Sequence, residues 1–586
     1  MSTRPVIAVV PFGARGKSPR SGAIARQIAR RVVDRFAQES ALELRPVFLV
    51  AVPEAATAKA PSEAYLVFGS SPDPDHAAQY AASAGATHAL TATFRDETAR
   101  VLDASLVDAS TRKARTAVLA ISPGALQDVE RDLAAWLAST LGVDVAAPAP
   151  PPTTEEDAYV ALLEAMDEEV NATLLRSSDP ALADASLRVA LAGYVAAAKA
   201  DPSSDAPEER VLVIAAESLE RGAVADEIAA LEELVTVRPR SWRAHYLLGQ
   251  LRAEARDLNG AIVATEHAHA LHPLPDTDIV RLAELYANAG APAPGLAHLR
   301  RVREDSPAYA AAQELLAIIQ LQRGELDAGR AAFDRAVAAG AGSWELHASF
   351  GAAVHARGQL DDAISRYVDA LTAGGPAVVR LNLARVLLAK GDRAGAMREL
   401  DALLATERTG EVAMHAQRLR FGLRHEAAER ELERAGKSVL AGETATLDAS
   451  RVVFEDAIAI EPDLWEAHFG LGIVARQRGE TAGAQAAFRR VLALWPDQPD
   501  ALHELGVALL MANDFGEALT ALDHAAALRP DDAAYLADAG FAHLRAGDLA
   551  NARARLERAA RIDATDPITR SYLGELARIE REAGTS

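Results

Sequence analysis

The chain repeats one pattern of small residues every 34 positions towards its C-terminus. Gly472, Gly506, Gly540 and Gly574 follow one another at this interval, and the same spacing relates three prolines that lie ten residues before the first three glycines, Pro462, Pro496 and Pro530. Such a period is typical of stacked helical hairpins, because one hairpin buries its apolar face only against its neighbours. The period therefore predicts an α-helical repeat array that binds other molecules along its surface.

The same register continues towards the N-terminus. The small residue recurs at intervals of 34 and, once, 33 residues at Ala215, Gly249, Ala283, Ala317, Gly351 and Ala384. At this position the first helix of each hairpin is predicted to cross its partner closely, because a larger side chain would force the helices apart. Glycines suited to the turn after a helix follow seven residues later, at Gly222, Gly290, Gly324, Gly358, Gly391, Gly479 and Gly547. Apolar residues predicted to fill the core follow sixteen residues after the small one, at Leu231, Leu299, Phe333, Tyr367, Leu400, Phe488, Leu522 and Leu556.

Two stretches of the helical region depart from this register. Residues 155–205 contain two apolar helical patterns and are predicted to form a divergent first hairpin that caps the array. Ala384 and Gly472 lie 88 residues apart, which is 20 more than two periods. Residues 408–446 are therefore predicted to be an irregular insert of long, charged helix, either a repeat with elongated helices or a flexible joint. The insert divides the array into blocks at 155–407 and 447–586.

The segment from Trp465 to Pro496, WEAHFGLGIVARQRGETAGAQAAFRRVLALWP, resembles the tetratricopeptide repeat (TPR) in nearly every diagnostic position. The resemblance implies a groove for protein segments, lined by places two, five, nine and twelve of the first helix of each repeat, with the small residue at place eight. Candidate groove residues on this count are Tyr246, Gln250, Glu284, His355, Arg385, Phe469, Arg476, His503, Phe541, Glu575 and Arg578. Phe469 and Phe541 are the expected apolar anchors, although an aromatic side chain also fills core space. The lysine and asparagine pattern of a carboxylate clamp is missing.

The first quarter of the chain has a different pattern. Residues 146–154, AAPAPPPTT, are predicted to be a proline-rich linker that ends a mixed α/β domain at 1–145. Strands are predicted at 5–10, 42–52, 87–94, 100–107 and 115–121, and helices at 21–39, 75–84 and 123–141. The predicted fold class is therefore α+β, with a small mixed domain followed by an all-α superhelical TPR solenoid.

Short motifs in this domain resemble the TolB amino-terminal-like family. They comprise Val9, Pro11 and Phe12 at the end of the first strand, Gly85 and Ala86 before the third predicted strand, and Leu106, Asp108 and Thr111 in a hairpin. Residues 92–94 depart from the small pair that the family has after its strand. The resemblance implies a noncatalytic domain of a kind often attached to TPR arrays.

The loop PFGARGKS competes with that interpretation, because Gly16, Lys17 and Ser18 match the end of a phosphate-binding loop. Pro11 occupies the place of the first glycine of that motif. Since proline removes a backbone donor and fixes φ, the segment is predicted to be a basic surface loop instead.

Composition and charge reduce the set of possible partners and chemistries. The net charge is −22, whereas residues 1–147 hold 16 Lys/Arg and 15 Asp/Glu, so the acidity belongs to the array. It disfavours nucleic acid, and it either keeps the array soluble or selects basic partners. The chain has no cysteine, so thiolate chemistry and disulfides are excluded. His267, His269 and His272 point in different directions on a helix, and no metal, cofactor or catalytic constellation is expected.

The sequence as a whole predicts a noncatalytic interaction scaffold that recruits a protein partner. An alternative stays open, in which the N-terminal domain binds a small ligand or nucleotide and signals through the array. The apolar run at the N-terminus is too short for a secretory signal and no membrane span is expected, so a cytoplasmic location is predicted. Self-association also stays open, because Leu576 and Ile579 either cap the last hairpin or continue a stack.

Overall fold

The computed structural model describes residues 4–16, 20–36, 41–47, 72–97, 99–145, 150–222 and 224–584. In these residues a small mixed sheet is followed by a long all-helical repeat array, which confirms the predicted α+β fold class. The chain divides into two compact units, Met1–Arg301 and Val302–Ser586.

The N-terminal sheet combines parallel and antiparallel pairs, as predicted. Its strands are β1 (Val6–Val9), β2 (Gly13–Gly16), β3 (Glu43–Pro46), β4 (His88–Asp96), β5 (Arg100–Asp108) and β6 (Ala114–Ala120), in the order β3-β1-β4-β5-β6 with β2 also on β4. β1 is parallel to β3 and β4, while β4, β5 and β6 are antiparallel. Ile7 and Val9 face one core and Ala8 and Val10 face the other, because side chains alternate along a strand.

Helices cover both faces of this sheet. They are α1 (Arg20–Arg35), α2 (Pro74–Ser83) and α3 (Val129–Leu141). The first two begin within one residue of their predicted starts, whereas α3 begins six residues after its predicted start. The core on one face includes residues of α1 and α3, whereas alanines of α2 lie in the core on the other face. Residues 37–39 of the predicted first helix and 48–52 of the predicted second strand lie outside the described residues.

The predicted surface loop PFGARGKS was wrong for its middle residues. Gly13–Gly16 form β2 and pair with Thr93–Asp96 of β4. The Val10 amide donates to the Leu90 carbonyl at 3.0 Å and Phe12 is buried, so the chain stays beside β4 after β1 ends. Extended backbone of this kind does not wrap a phosphate. Lys17 and Ser18 lie outside the described residues.

Residues 155–205 form the predicted hairpin, made of α4 (Glu156–Leu175) and α5 (Pro180–Ala200). One side of α4 packs against the sheet domain, where Tyr159 and Leu163 join its core. Within the predicted linker, Thr153 Oγ1 donates to Asp201 Oδ2 at 2.6 Å, while residues 146–149 lie outside the described residues. By length and composition alone α5 is apolar enough to cross a membrane, and half of that apolar stretch is buried inside the protein.

The helices that follow form antiparallel pairs. Their bounds are α6 (Ala206–Arg221), α7 (Ala225–Val237), α8 (Trp242–Glu254), α9 (Leu258–Leu271), α10 (Asp276–Asn288), α11 (Pro292–Leu299), α12 (Tyr309–Gln322), α13 (Leu326–Ala338), α14 (Trp344–Ala356), α15 (Leu360–Thr372), α16 (Ala377–Lys390), α17 (Arg393–Thr406), α18 (Glu411–Arg424), α19 (Glu426–Leu440), α20 (Leu447–Ile460), α21 (Trp465–Gln477), α22 (Thr481–Leu494), α23 (Pro499–Met511), α24 (Phe515–Leu528), α25 (Ala533–Arg545), α26 (Leu549–Ile562) and α27 (Pro567–Gly584).

The periodic glycines lie where paired helices cross closely. A Cβ built on Gly472 would lie 2.5 Å from the Phe488 ring, and one on Gly506 would lie 2.4 Å from Leu522. Gly540 meets Leu556 in the same way, whereas a Cβ on Gly574 would meet nothing within 4 Å. The predicted close approach is therefore confirmed for three glycines and wrong for Gly574. Leu576 beside it is fully buried against the preceding repeat, so it caps that hairpin.

The prediction of an elongated helix at 408–446 was wrong. α18 ends at Arg424 and α19 begins at Glu426, because His425 has φ −136° and ψ 56°, outside helical values. The apolar side chains of Leu432, Ala435 and Val439 line one face of α19 and are buried. α18 and α19, called the seam helices below, are thus two packed helices of ordinary length.

Candidate functional site

A cavity of about 620 Å³ opens between α19, α21 and α23 in the C-terminal unit. It is called the groove below. The residues that line it are Arg418, Leu432, Glu433, Gly436, Lys437, Val439, Leu440, Phe454, Trp465, Glu466, Phe469, Gly470, Ile473, Gln498, Asp500, His503, Glu504 and Tyr535. Both seam helices therefore line the groove, α18 through Arg418 and α19 along one wall, and later helices of the C-terminal unit form the rest.

Helical spacing on α21 sets the apolar floor of the groove. Trp465, Phe469 and Ile473 follow at intervals of four, so they lie on one face of the helix. The Phe469 ring stays half-buried and packs edge-on against Trp465 at 6.3 Å and Phe488 at 5.6 Å between centroids. Leu440, at the end of α19, is 71% exposed at the rim. The floor and rim of the groove are thus apolar.

An ion-pair cluster lies under the seam side of the groove. The guanidinium of Arg418 pairs with Glu429 and lies 3.2 Å from Glu466 through Nε and Oε1. The other oxygen of Glu466, Oε2, is buried and has no hydrogen-bond partner. Burial raises the pKa of Glu466 to about 7, an effect that Arg418 only partly offsets. Glu466 is therefore a carboxyl group that titrates near neutral pH.

A second acid of the groove lies on α23. Glu504 forms an ion pair with Arg476, at 2.6 Å between Nε and Oε2. Burial is the largest influence and raises the pKa of Glu504, while the Arg476 charge acts in the opposite direction. Burial thus raises the pKa of both Glu466 and Glu504.

The far side of the groove is an aromatic and acidic network. The His503 ring stacks on Tyr535 at 4.5 Å, and its Nε2 lies 2.8 Å from Asp538 Oδ2. The Tyr535 hydroxyl donates to Asp500 at 2.5 Å, and burial is the main cause that raises the pKa of Tyr535. These contacts hold His503 and Asp500 in place without a ligand.

The structure gathers only some of the predicted groove residues. Phe469 and His503 line the groove, and Arg476 contributes through its ion pair with Glu504. Phe541 lies further along the same unit, where it stacks on Tyr572 at 4.3 Å. Exposed Arg578 pairs with Glu582 at 2.9 Å on α27.

The other predicted residues lie elsewhere. His355 and Arg385 are on α14 and α16 of the C-terminal unit. Tyr246 and Gln250 are one turn apart on α8 of the N-terminal unit, where the Tyr246 hydroxyl donates to Asp278 at 2.9 Å. Glu284 lies on α10 of that unit; Glu575 lies on α27.

Counting places along the first helix of each repeat missed several residues that line the groove. Glu466 and Asp500 occupy place two of their repeats. Place two belongs to the counting rule, so the rule finds both residues when all four of its places are counted in each repeat. Glu504 and Tyr535 stand at places six and three, which that rule does not include. Arg418 and Leu440 come from the seam helices, where no repeat register exists to count from.

The histidine cluster of α9 serves packing and local hydrogen bonding. His267 stacks on His245 at 5.3 Å, His269 accepts a hydrogen bond from the Leu274 amide, and His272 stacks on Trp242 at 4.5 Å. The three rings thus have separate partners. Over the described part of the chain, no group of three or more His, Cys, Asp or Glu side chains is arranged to hold a metal ion.

Several solved structures are similar to parts of the chain. PilF of Pseudomonas aeruginosa is 16% identical, over 45% of this chain and 97% of that protein, with a TM-score of 0.22. MamA from Desulfovibrio magneticus RS-1 is 19% identical over 33% of this chain and 97% of its own, also at 0.22. YrrB, described as a TPR protein with an unusual peptide-binding site, is 16% identical over 33% of this chain and 90% of its own, at 0.20. No curated protein matches the chain.

The tetratricopeptide repeat family model matches less than half of the chain, at residues 214–273, 280–343, 446–499, 469–533 and 503–567. The last three matches overlap and contain α21 to α26, which include the groove helices α21, α23 and α25. Residues 408–445, which contain the seam helices, fall outside every match. The matches support the tetratricopeptide repeats that the sequence predicts, and those repeats frame the groove.

Proposed function

We propose that the protein is a noncatalytic adaptor that recruits a partner by holding a segment of it in the groove. The observation that carries this proposal is the groove itself: a cavity of about 620 Å³ on the first helices of successive repeats, with exposed Leu440 and half-buried Phe469 at its surface. Cavities of this size with apolar floors and a few fixed polar groups are typical binding sites. The ion pairs of Arg418 and Arg476 fix the polar groups before a partner arrives.

Affinity capture with groove variants tests the proposal. The full-length protein, a Leu440→Glu variant and a Phe469→Ala variant are used as baits, and the captured proteins are quantified by mass spectrometry. Leu440 is exposed, so Leu440→Glu places a charge in the groove without disturbing the core. We expect both variants to lose the same partner at least tenfold.

The control is Val452→Glu, which changes an apolar side chain that is 55% exposed on α20 and does not line the groove. Circular dichroism checks the helical content of each bait. Equal recovery of every captured protein by wild type, Leu440→Glu and Phe469→Ala contradicts recruitment through the groove.

A second candidate function rests on a cavity of about 490 Å³ in the N-terminal unit. It lies between α1, α4 and the ends of β1 and β3, with mainly apolar walls. Gln27 donates to Asp167 at 3.1 Å, while its own side-chain oxygen is buried without a hydrogen-bond partner. A small ligand with a donor group fits such a place, and α4 carries the effect into the α4–α5 hairpin. Because β2 is extended where a phosphate loop was considered, nucleotides are weaker candidates than apolar ligands.

Thermal unfolding with a small-molecule panel that includes ATP and GTP tests this second function. Saturating ligand that binds only the folded state raises the midpoint, and Gln27→Leu, which removes the buried amide, is expected to abolish the shift. The absence of any shift overturns the sensory function. The resemblance of this domain to the TolB amino-terminal-like family stays a prediction.

A further inference from the structure

Carboxylates outnumber cations along the groove. Glu433, Glu466, Asp500 and Glu504 line it against only Arg418 and Lys437. We propose that the groove selects a partner segment with a lysine or arginine side chain next to an aliphatic residue, the cation lying against Glu466 and Glu504 and the aliphatic side chain on Leu440 and Phe469. This inference rests on the proposed function, since it names the chemistry of the segment that the groove holds.

Each carboxylate of the groove already has a cation as partner, including Glu504, which pairs with Arg476 at 2.6 Å. The proposal therefore depends on the acceptor oxygen that these pairs leave over. Lys437 pairs with Glu433 at 2.7 Å on the exposed rim. Arg418 forms ion pairs with both Glu429 and Glu466. Asp500 forms an ion pair with Arg529 at 3.2 Å and accepts a hydrogen bond from the Tyr535 hydroxyl. After these pairings, Glu466 Oε2 still has no hydrogen-bond partner. A buried carboxylate oxygen left in that state gains a charge-assisted hydrogen bond from an incoming ammonium or guanidinium group.

The groove also offers apolar side chains for an aliphatic companion. Leu440 projects from the end of α19 with 71% of its surface exposed, and the Phe469 ring lies half-buried across the cavity floor. An isolated cation on this acidic surface would bind weakly, because exposed ion pairs contribute little. The apolar contact supplies the remaining affinity and excludes water from the cation.

If the cation binds next to Glu466, the affinity for the segment depends on pH, which a simple attraction to exposed carboxylates does not predict. Protonated Glu466 does not attract a cation, so ligand binding favours the ionised carboxylate and strengthens as the pH rises through about 7. The charged and titratable groups around Glu466 lie on five helices. They are Arg418 on α18, Glu429, Glu433 and Lys437 on α19, Arg476 on α21, Asp500, His503 and Glu504 on α23, and Tyr535 on α25. With full coupling to Glu466, Kd at pH 6 is expected to be roughly tenfold higher than at pH 8.

A peptide-display selection tests the proposal on the full-length protein. A random 12-residue library is selected in parallel against wild type, Glu466→Gln, Glu504→Gln, Leu440→Glu and the control Glu455→Gln, an exposed glutamate of α20 that does not line the groove. We expect wild type and Glu455→Gln to enrich peptides with Lys or Arg beside Leu, Ile, Val or Met. Both glutamine variants in the groove should lose the basic preference but keep the aliphatic one.

The outcomes separate the two proposals. Peptides that lose binding in Leu440→Glu but lack a basic preference overturn the cationic occupant and leave the groove as a binding site. Selected peptides that bind Leu440→Glu as well as they bind wild type, or the failure to select any peptide, overturn the proposed function together with this inference.

Fluorescence anisotropy with one selected peptide completes the test without changing the protein. Replacing its lysine by norleucine keeps the length of the side chain and removes the charge, and we expect at least tenfold weaker binding at pH 8. The loss should shrink at pH 6 and disappear in Glu466→Gln. His503→Asn should keep the pH dependence, and an equal response of wild type and Glu466→Gln to pH overturns the assignment to Glu466.

Discussion

The regular repeats and the seam helices use their surfaces differently. In α21 to α26 the small residue of one helix faces a large residue of the next, as Gly506 faces Leu522. This face of each helix is therefore buried between the paired helices. On α19 no such slot exists: Leu432 and Val439 are buried, while Leu440 beside them stays exposed and lines the groove. A strict period thus encodes contacts between neighbours, and the place where the period fails leaves a surface for something else.

The largest expected effect tests whether the seam helices are packed against their neighbours as firmly as the regular repeats are. Phe454 of α20 is 1% exposed and fills the space over Gly470, where a Cβ would lie 2.4 Å from its ring. Phe454→Ala should therefore lower the free energy of opening of α19 to α21 by about 3–5 kcal/mol, measured by hydrogen exchange. Val452→Ala on the same helix, at an exposed position, should change it by less than about 0.5 kcal/mol. A cost below about 1 kcal/mol for Phe454→Ala would favour a flexible joint.

The next effect separates two glycines that the sequence treats as equivalent. Gly472→Ala forces a methyl group against the buried Phe488 ring at 2.5 Å and should cost about 1–3 kcal/mol in the opening of α21 and α22. Gly574→Ala meets nothing within 4 Å and should stabilise α27 by up to about 1 kcal/mol, because alanine is the better helix former. Hydrogen exchange of the two helices compares them, and equal costs would contradict the crossing geometry.

The sequence predicted packing far better than it predicted the site. The 34-residue register correctly placed Gly472, Gly506 and Gly540 at close crossings, because steric exclusion acts on each repeat alike. The tetratricopeptide resemblance supplied Phe469 and His503, which line the groove, and their role in binding stays a prediction. Arg418 and Leu440 belong to helices without a register, so their approach to α21 depends on tertiary packing that no local pattern records. β2 was missed because its partner strand lies about 80 residues further along the chain.

A smaller effect tests whether the groove acid is under-compensated in the folded state. The pKa of Glu466 is raised to about 7 from an unfolded value of about 4.3, so its protonated form stabilises the fold. This contribution is complete below the unfolded value and is lost as the pH rises through about 7. From pH 6 to pH 8 wild type should lose about 1 kcal/mol more than Glu466→Gln, in urea unfolding followed by tryptophan fluorescence. Parallel curves for the two proteins would show that the carboxyl is well compensated.

The smallest effect compares one turn position between repeats. Gly479 has φ +75°, and Asn513, 34 residues later, adopts φ +61° at the same place. Gly479→Ala should cost about 1 kcal/mol, since a Cβ in the left-handed region clashes with the following carbonyl. Asn513→Gly should gain only a few tenths of a kcal/mol, because asparagine tolerates that region and glycine adds entropy to the unfolded chain. Urea midpoints measure both changes. If Asn513→Gly destabilised the protein, the turn would owe its shape to the asparagine side chain rather than to the backbone geometry that the repeats share.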